Sequence, residues 1–332
     1  MKKRLKIAGV VFIFLACGAF LFYLTRQPLR SPVSSLEITE YHRILDKYSF
    51  SRLQSRTYQP TQITLERVIT KKPDYTAYLF SFLSDGKRVT GQLNLPTTPN
   101  APGKKPVIVM IRGFVDKDQY KTGVGTRPAA EYFAQHGYIT IAPDFLGYGE
   151  SDQESYDVFE SRFEKPVTVL NVLASIPTLQ QADPKRIGIW GHSNGGQIAI
   201  SVLEIGKQAY PTTLWAPVTM KFPNSILQFV DELPDKGDYL KEQLGIFHER
   251  YTDMDYSIDQ YISDIAAPLQ LHQGTKDESV PVSWSLAFVE KVKALKKPIT
   301  YFQYEGEDHT FGRGRWSTVV QRDLAFFAQH LK

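Results

Sequence analysis

The chain has 332 residues and a formal net charge of +4, long enough for one large domain or two small ones with a sizeable core. Six of the 39 basic residues fall in the first thirty positions, which hold no acid, so 33 basic face 35 acidic residues beyond them; a body this close to neutral has no electrostatic footprint for nucleic acid. The one cysteine, Cys17, lies in an N-terminal apolar run, which excludes disulfide and thiol chemistry from the rest of the chain.

Met1 to Lys6 is basic, and Ile7 to Leu24 is apolar and uncharged. At about 1.5 Å per residue the apolar run just reaches across a hydrocarbon layer of about 30 Å, and its basic flank belongs on the cytoplasmic side. The expectation is an uncleaved signal anchor over about 7–24 that holds the main domain outside the cytoplasm. Cleavage near Ala16-Cys17-Gly18-Ala19, which would release a secreted body, is the alternative. A lipoprotein signal ending at Cys17 fits less well, because the sequence stays apolar after the cysteine. Pro28 and Pro32 mark a short linker, which gives residues 1–30 as anchor and linker and 31–332 as the main domain. Leu36 to Arg56 mixes sparse apolar residues with charges and reads as one or two surface helices.

Ile63 to Thr70 alternates as a half-buried strand does (Ile63, Leu65, Arg67, Ile69). Tyr75 to Leu83 and Val89 to Leu95, joined by the turn Ser84-Asp85-Gly86-Lys87, complete an antiparallel meander. Beyond the loop Pro96 to Pro106 the pattern changes to strands separated by helices. Val107 to Ile111 is a continuous apolar run, as in a strand buried on both faces. A helix over about Pro128 to His136 and a strand over Tyr138 to Ala142 follow. Pro166 to Gln180 reads as a helix with its proline in the first turn. Next come an apolar strand ending at Gly191, a helix after Gly196, and a short strand Thr213 to Trp215. Pro268 to His272 is a strand and Val282 to Leu295 a helix. Ile299 to Tyr304 is the last strand and Ser317 to Leu331 the last helix. Such alternation implies a mostly parallel sheet with helices on both faces, and ligands then bind outside the carboxyl ends of its strands. Pro217 to Ala267 interrupts the rhythm with scattered aromatics and weak helical periodicity, and is expected to form a helical cap over that edge.

Gly191-His192-Ser193-Asn194-Gly195 sits between a strand and a helix and fits the G-x-S-x-G elbow. A serine on so sharp a turn is forced into a strained backbone conformation that exposes its Oγ, and the helix that begins there aims free N–H groups at developing negative charge. A serine hydroxyl also needs a base, and the base an orienter. His309, just after the last strand, is the candidate base. His192, inside the turn, should point away from the Oγ, and His272, inside a strand, reads as a core residue. Asp277, in the loop after the preceding strand, is the candidate orienter, with Glu278 and Asp308 as rivals. Ser193, Asp277 and His309 occur in the order this arrangement requires. The backbone N–H groups of Asn194 and Phe114 are the candidate oxyanion donors, with Gly113 permitting close approach. Arg112, Tyr120 and Arg127, near that loop, read as solvated surface residues, with substrate binding as the alternative. The chemistry calls for no metal and no cofactor.

Arg112-Gly113-Phe114, Asp144-Phe145-Leu146-Gly147-Tyr148-Gly149-Glu150-Ser151, the elbow, Gly274-Thr275-Lys276-Asp277-Glu278-Ser279-Val280-Pro281 and Asp308-His309 together make the chain resemble the α/β-hydrolases. Within them it is similar to the catalytic domain of prolyl oligopeptidase-like peptidases and their esterase relatives. The resemblance spans about Val107 to Lys332 and departs in two places. Arg112 precedes Gly113 where His is common, and nothing before residue 100 is long enough for the β-propeller of the peptidases. It implies a serine hydrolase acting on peptide, amide or ester bonds through an acyl-enzyme, with small esters as the alternative substrates. A binding protein that merely keeps this fold would show a degraded set of these residues.

Overall fold

The computed structural model describes residues 43–97 and 103–332, so the anchor expected over 7–24 and the linker lie outside the described residues. Nine strands form one sheet in the order β1-β2-β3-β5-β4-β6-β7-β8-β9. They are β1 (Thr64–Lys71), β2 (Tyr75–Ser84), β3 (Lys87–Pro96), β4 (Lys105–Ile111), β5 (Ile139–Pro143), β6 (Ala182–His192), β7 (Thr212–Trp215), β8 (Leu269–Gly274) and β9 (Ile299–Tyr304). The helices are α1 (Phe50–Ser55), α2 (Arg127–Gln135), α3 (Glu160–Ser175), α4 (Asn194–Gly206), α5 (Asn224–Leu227), α6 (Asp238–His248), α7 (Val282–Ala294) and α8 (Trp316–His330). β1, β2 and β3 form the antiparallel meander, β3 pairs antiparallel with β5, and the remaining strands run parallel.

Side chains alternate along a strand, so each parallel strand feeds two layers. Val107, Val109 and Ile111 of β4 join one core with Ile189, Leu214 and the apolar faces of α3, α4 and α7. Ile108 and Met110 join the other with Trp190, Trp215 and residues of α2 and α8. This two-sided burial is why β4 reads as an unbroken apolar run rather than an alternating one. Because β4 lies between β5 and β6, the chain reverses its direction of travel across the sheet there. The loop after β4 is thus brought beside the end of β6, where Ile111 pairs with Gly191, at the kind of switch point that binds ligands.

Three expectations need correction. The segment before β1 is not superficial: Leu45, Tyr48, Phe50 and Leu53 are buried in the main core, and the sparse apolar spacing hid a short helix with one fully covered face. β1 is an exposed edge strand rather than a half-buried one, since Val68 and Ile69 face solvent and register shifts at Leu65/Arg67 and Val68/Thr70 break its alternation. Helix α3 starts at Glu160, six residues before Pro166, which therefore sits inside it. Pro166 has no N–H for the carbonyl four residues back, so the helix loses one internal bond and continues.

The stretch 217–267 carries α5, α6 and several turns of 3₁₀-helix. Phe222 and Phe247 interleave with Phe159 and Phe163 of the α3 region, ring centroids 5.2–6.4 Å apart. Such aromatic pairs fix the insertion by contact as well as by area buried.

Candidate active site

Ser193 joins β6 to α4 with φ 55° and ψ −123°, a region that non-glycine residues enter only where the surroundings impose it. Backbone bonds on both sides hold it there. Its N–H donates to Trp215 O at 2.9 Å, and its carbonyl accepts the N–H groups of Gly196 at 2.9 Å and Val218 at 3.0 Å. Glycine is required at 195, where a Cβ would run into the carbonyl oxygens of Ile111 and Arg112. Across the gap, a Cβ added to Gly113 would stand 3.0 Å from Ser193 Cβ. The loop after β4 therefore passes directly over the serine, as the close-approach argument requires.

His309 and Asp277 meet at the ends of β9 and β8. His309 Nδ1 lies 3.0 and 2.9 Å from the two Asp277 carboxylate oxygens. Asp277 Oδ1 also accepts the N–H groups of Ser279 at 2.9 Å and Val280 at 2.8 Å, and Oδ2 accepts Gln273 Nε2 at 2.7 Å. Gln273 is itself fixed by Ser285 Oγ at 2.7 Å. The Asp277 side chain has no solvent exposure. Burial pushes its carboxyl up, but the bond and charge of His309 and the two backbone N–H groups outweigh this and leave it below the ordinary carboxylate range. The two rival carboxylates stand elsewhere. Glu278 is exposed, and Asp308 Oδ1 caps its own turn, accepting the N–H groups of Thr310 and Gly312 at 2.9 Å.

His192 ties the two halves together. Its ring packs on that of His309, centroids 4.6 Å apart, and its Nε2 lies 3.1 Å from His309 O. Burial, reinforced by His309, lowers His192 to about 4, so the ring is neutral and its Nε2–H donates to that carbonyl. The residue before the serine thus holds the backbone of the histidine loop. His272 is a core residue: it is fully buried, with Nε2 2.9 Å from Asp323 Oδ1 and Nδ1 2.8 Å from Tyr304 Oη.

The loop after β4 is braced from beneath, and here the expectation of solvated Arg112 and Tyr120 is corrected. Arg112 is buried between the rings of Tyr120 and Tyr148, 4.5 and 4.1 Å from their centroids. It donates to Gly113 O at 2.9 Å and Asp144 O at 3.1 Å. Tyr120 Oη donates to the buried Asp144 Oδ1 at 2.6 Å. Gly113 O and the Phe114 N–H belong to one peptide plane, so the guanidinium that holds the oxygen also aims the N–H. Arg127 is the exposed exception, donating to Thr122 O at 2.9 Å. Sequence reasoning missed this brace because the aromatic shield around Arg112 comes from two segments distant from it in the chain, at Tyr120 and at Phe145 and Tyr148. Among the described residues no group of His, Cys, Asp and Glu could hold a metal.

A strained serine at the carboxyl edge of a mostly parallel sheet, beside a shielded histidine–aspartate pair, defines the class: the fold is that of an α/β-hydrolase and the protein is a serine hydrolase. It belongs to the prolyl oligopeptidase family, whose sequence profile matches residues 125–332. The chain is 27% identical over 239 residues to the uncharacterized peptidase YtmA of Bacillus subtilis (strain 168), a match covering 70% of this chain and 86% of that one. Among solved structures it is similar to an acetyl xylan esterase from Paenibacillus sp. R4, with TM-score 0.63, 16% identity, and 88% and 95% of the two chains covered. A puromycin-hydrolyzing peptidase of Mycobacterium tuberculosis matches with TM-score 0.55 and 21% identity over 79% of this chain and 40% of its own. At these identities the two structures speak for the fold.

Proposed function

We infer that Ser193 is the nucleophile, His309 the general base and Asp277 its orienter, acting on peptide or amide bonds. Ser193 Oγ attacks the carbonyl carbon while His309 Nε2, opposite the nitrogen bound by Asp277, takes its proton. The imidazolium is stabilised by Asp277 and returns the proton to the leaving amine. The N–H groups of Asn194 and Phe114 hold the oxyanion, and water, activated by the same histidine, releases the acyl group. The observation that carries this reading is the Asp277–His309 pair, buried and locked by Ser279, Val280 and Gln273, joined through His192 to the strained serine. Ester hydrolysis by the same residues is the second reading, favoured by Arg112 standing where the peptidases commonly have His. Aminoacyl and prolyl 4-nitroanilides and 4-nitrophenyl esters, assayed side by side on wild type and Ser193→Ala, separate the readings. Turnover of neither class by folded wild type would refute both.

The 217–267 insertion acts as the cap of the substrate cleft. Its Phe222, Ser225 and Tyr256 line one cleft with Asn194 and Gln197 of α4. The basic start and apolar run 7–24 serve as a signal anchor, with the hydrolase domain outside the cytoplasm. Among the described residues no helix is long and apolar enough to cross a membrane, and the anchor is assigned to the N-terminal run alone. Resistance of the full chain to alkaline extraction from membranes, lost on deleting 1–30, tests it.

A further inference from the structure

The cleft beside Asn194 is lined by two cations that have no bonded counter-charge among the described residues. Arg162 and Lys165 stand three residues apart on α3, so one face of the helix presents both. Both line the cleft with Asn194, Gln197, Phe222 and Tyr256. Among the described residues neither side chain has an ion-pair or hydrogen-bond partner, and Arg162 Nε is wholly buried without one.

The nearby acids are engaged elsewhere. Glu154 pairs with Lys117, Glu160 with Lys47 at 2.9 Å, and Glu164 faces Lys87 at 3.8 Å. The backbone does not compensate either. Both cations lie in the first turns of α3, where the helix dipole adds charge of the same sign. Burial lowers Arg162 to about 10; it lowers Lys165 to about 8, with Arg162 and Arg112 acting in the same direction and Glu154 and Glu164 opposing them only in part. Both therefore stay charged at neutral pH. Two cations without a bonded partner in a half-covered cleft are costly to maintain, and an anion entering from outside relieves them.

The geometry points to an anion subsite: the substrate of this hydrolase carries a carboxylate that sits between Arg162 and Lys165 while its scissile carbonyl lies at Ser193. This rests on the serine hydrolase reading and adds the substrate class. A guanidinium offers a planar fork that matches a carboxylate, and the ammonium adds a point charge. Phe50, Leu53, Phe163 and Ile198 line the same cleft, so the group that bears the carboxylate has a short apolar stem.

Two measurements test it on the intact protein. Glutarate and its uncharged diamide are compared for their effect on Tm at constant ionic strength, in wild type, Arg162→Gln and Lys165→Gln. Glutarate is expected to raise the Tm of wild type, the diamide to leave it unchanged, and the rise to disappear in both variants. The ratio of kcat/KM for glutamate against glutamine α-4-nitroanilide, a pair differing only in charge, is expected above about 10 in wild type and near 1 in the variants. No glutarate shift, a shift equal to that of the diamide, or one that persists in both variants overturns the subsite. Turnover of the glutamine compound that is lost in Ser193→Ala, with an unbiased ratio, overturns the subsite while leaving the hydrolase reading intact.

Discussion

Replacing Asp277 by Asn tests the proton relay with almost no change of shape. Oδ1 accepts two backbone N–H groups, from Ser279 at 2.9 Å and Val280 at 2.8 Å. An asparagine that keeps its carbonyl oxygen there puts its NH₂ group where Oδ2 now stands, 2.9 Å from His309 Nδ1 and 2.7 Å from Gln273 Nε2, and the Gln273 amide must turn over to meet it with its oxygen. Two donors cannot face each other, so His309 must present a lone pair at Nδ1 and carry its proton on Nε2, the nitrogen turned to the serine. The base then cannot accept the Ser193 proton, and no carboxylate remains to stabilise an imidazolium. In the general Ser-His-Asp scheme this exchange lowers kcat by about 10⁴, or roughly 5 kcal/mol at about 1.4 kcal/mol per decade. The assay is kcat for the best 4-nitroanilide or ester, with circular dichroism confirming the fold. A fall of less than about tenfold, or an equal fall in Glu278→Gln or Asp308→Asn, would refute the assignment of Asp277.

Further outcomes follow from the same geometry. Arg112→Met removes the bond that fixes Gly113 O. It should lower kcat by roughly 10- to 100-fold with little change in KM, as a misaimed oxyanion donor does; an unchanged kcat would mean the peptide is held by other means. Gly195→Ala forces a methyl into the carbonyls of Ile111 and Arg112. It should cost about 3 kcal/mol or more, read as a loss of soluble protein or a lower urea midpoint, and native stability would contradict the close approach. Burial holds His192 at about 4, below the ordinary histidine value of 6.5. Below pH 6.5 the unfolded chain binds the proton first, so the stability this residue contributes is present above pH 6.5 and is lost as pH falls towards 4. Urea midpoints measured over pH 4–7 should show a shallower decline in His192→Gln, and identical profiles would count against a buried neutral ring.

Much of the sheet was legible because β4 and the second half of β6 are apolar runs, and because the strands of this half of the chain are separated by helical patterns. The elbow, the loop after β8 and the loop after β9 were legible for a related reason: topology places all three at one edge, whatever the details of packing. What escaped was everything decided by contacts between distant segments. The start of α3 was hidden because proline is a strong stop signal in sequence, and nothing local shows that the helix tolerates one lost bond. The exposure of β1 was hidden because a bulge leaves no compositional mark. Arg112 looks like any surface arginine until Tyr120, Tyr148 and Asp144 close around it, and the Arg162–Lys165 pair looks like an ordinary solvated face until the insertion covers it. His192 was read only as a turn residue, although its place beside the serine was the signal that it could reach the histidine loop.

The most direct test of the central claim is labelling with a fluorophosphonate, followed by mass spectrometry of the modified peptide. The adduct should lie on Ser193 in wild type, and its rate of formation should fall by about 10³-fold or more in His309→Ala. An adduct on another residue, or a rate indifferent to His309, would contradict the account.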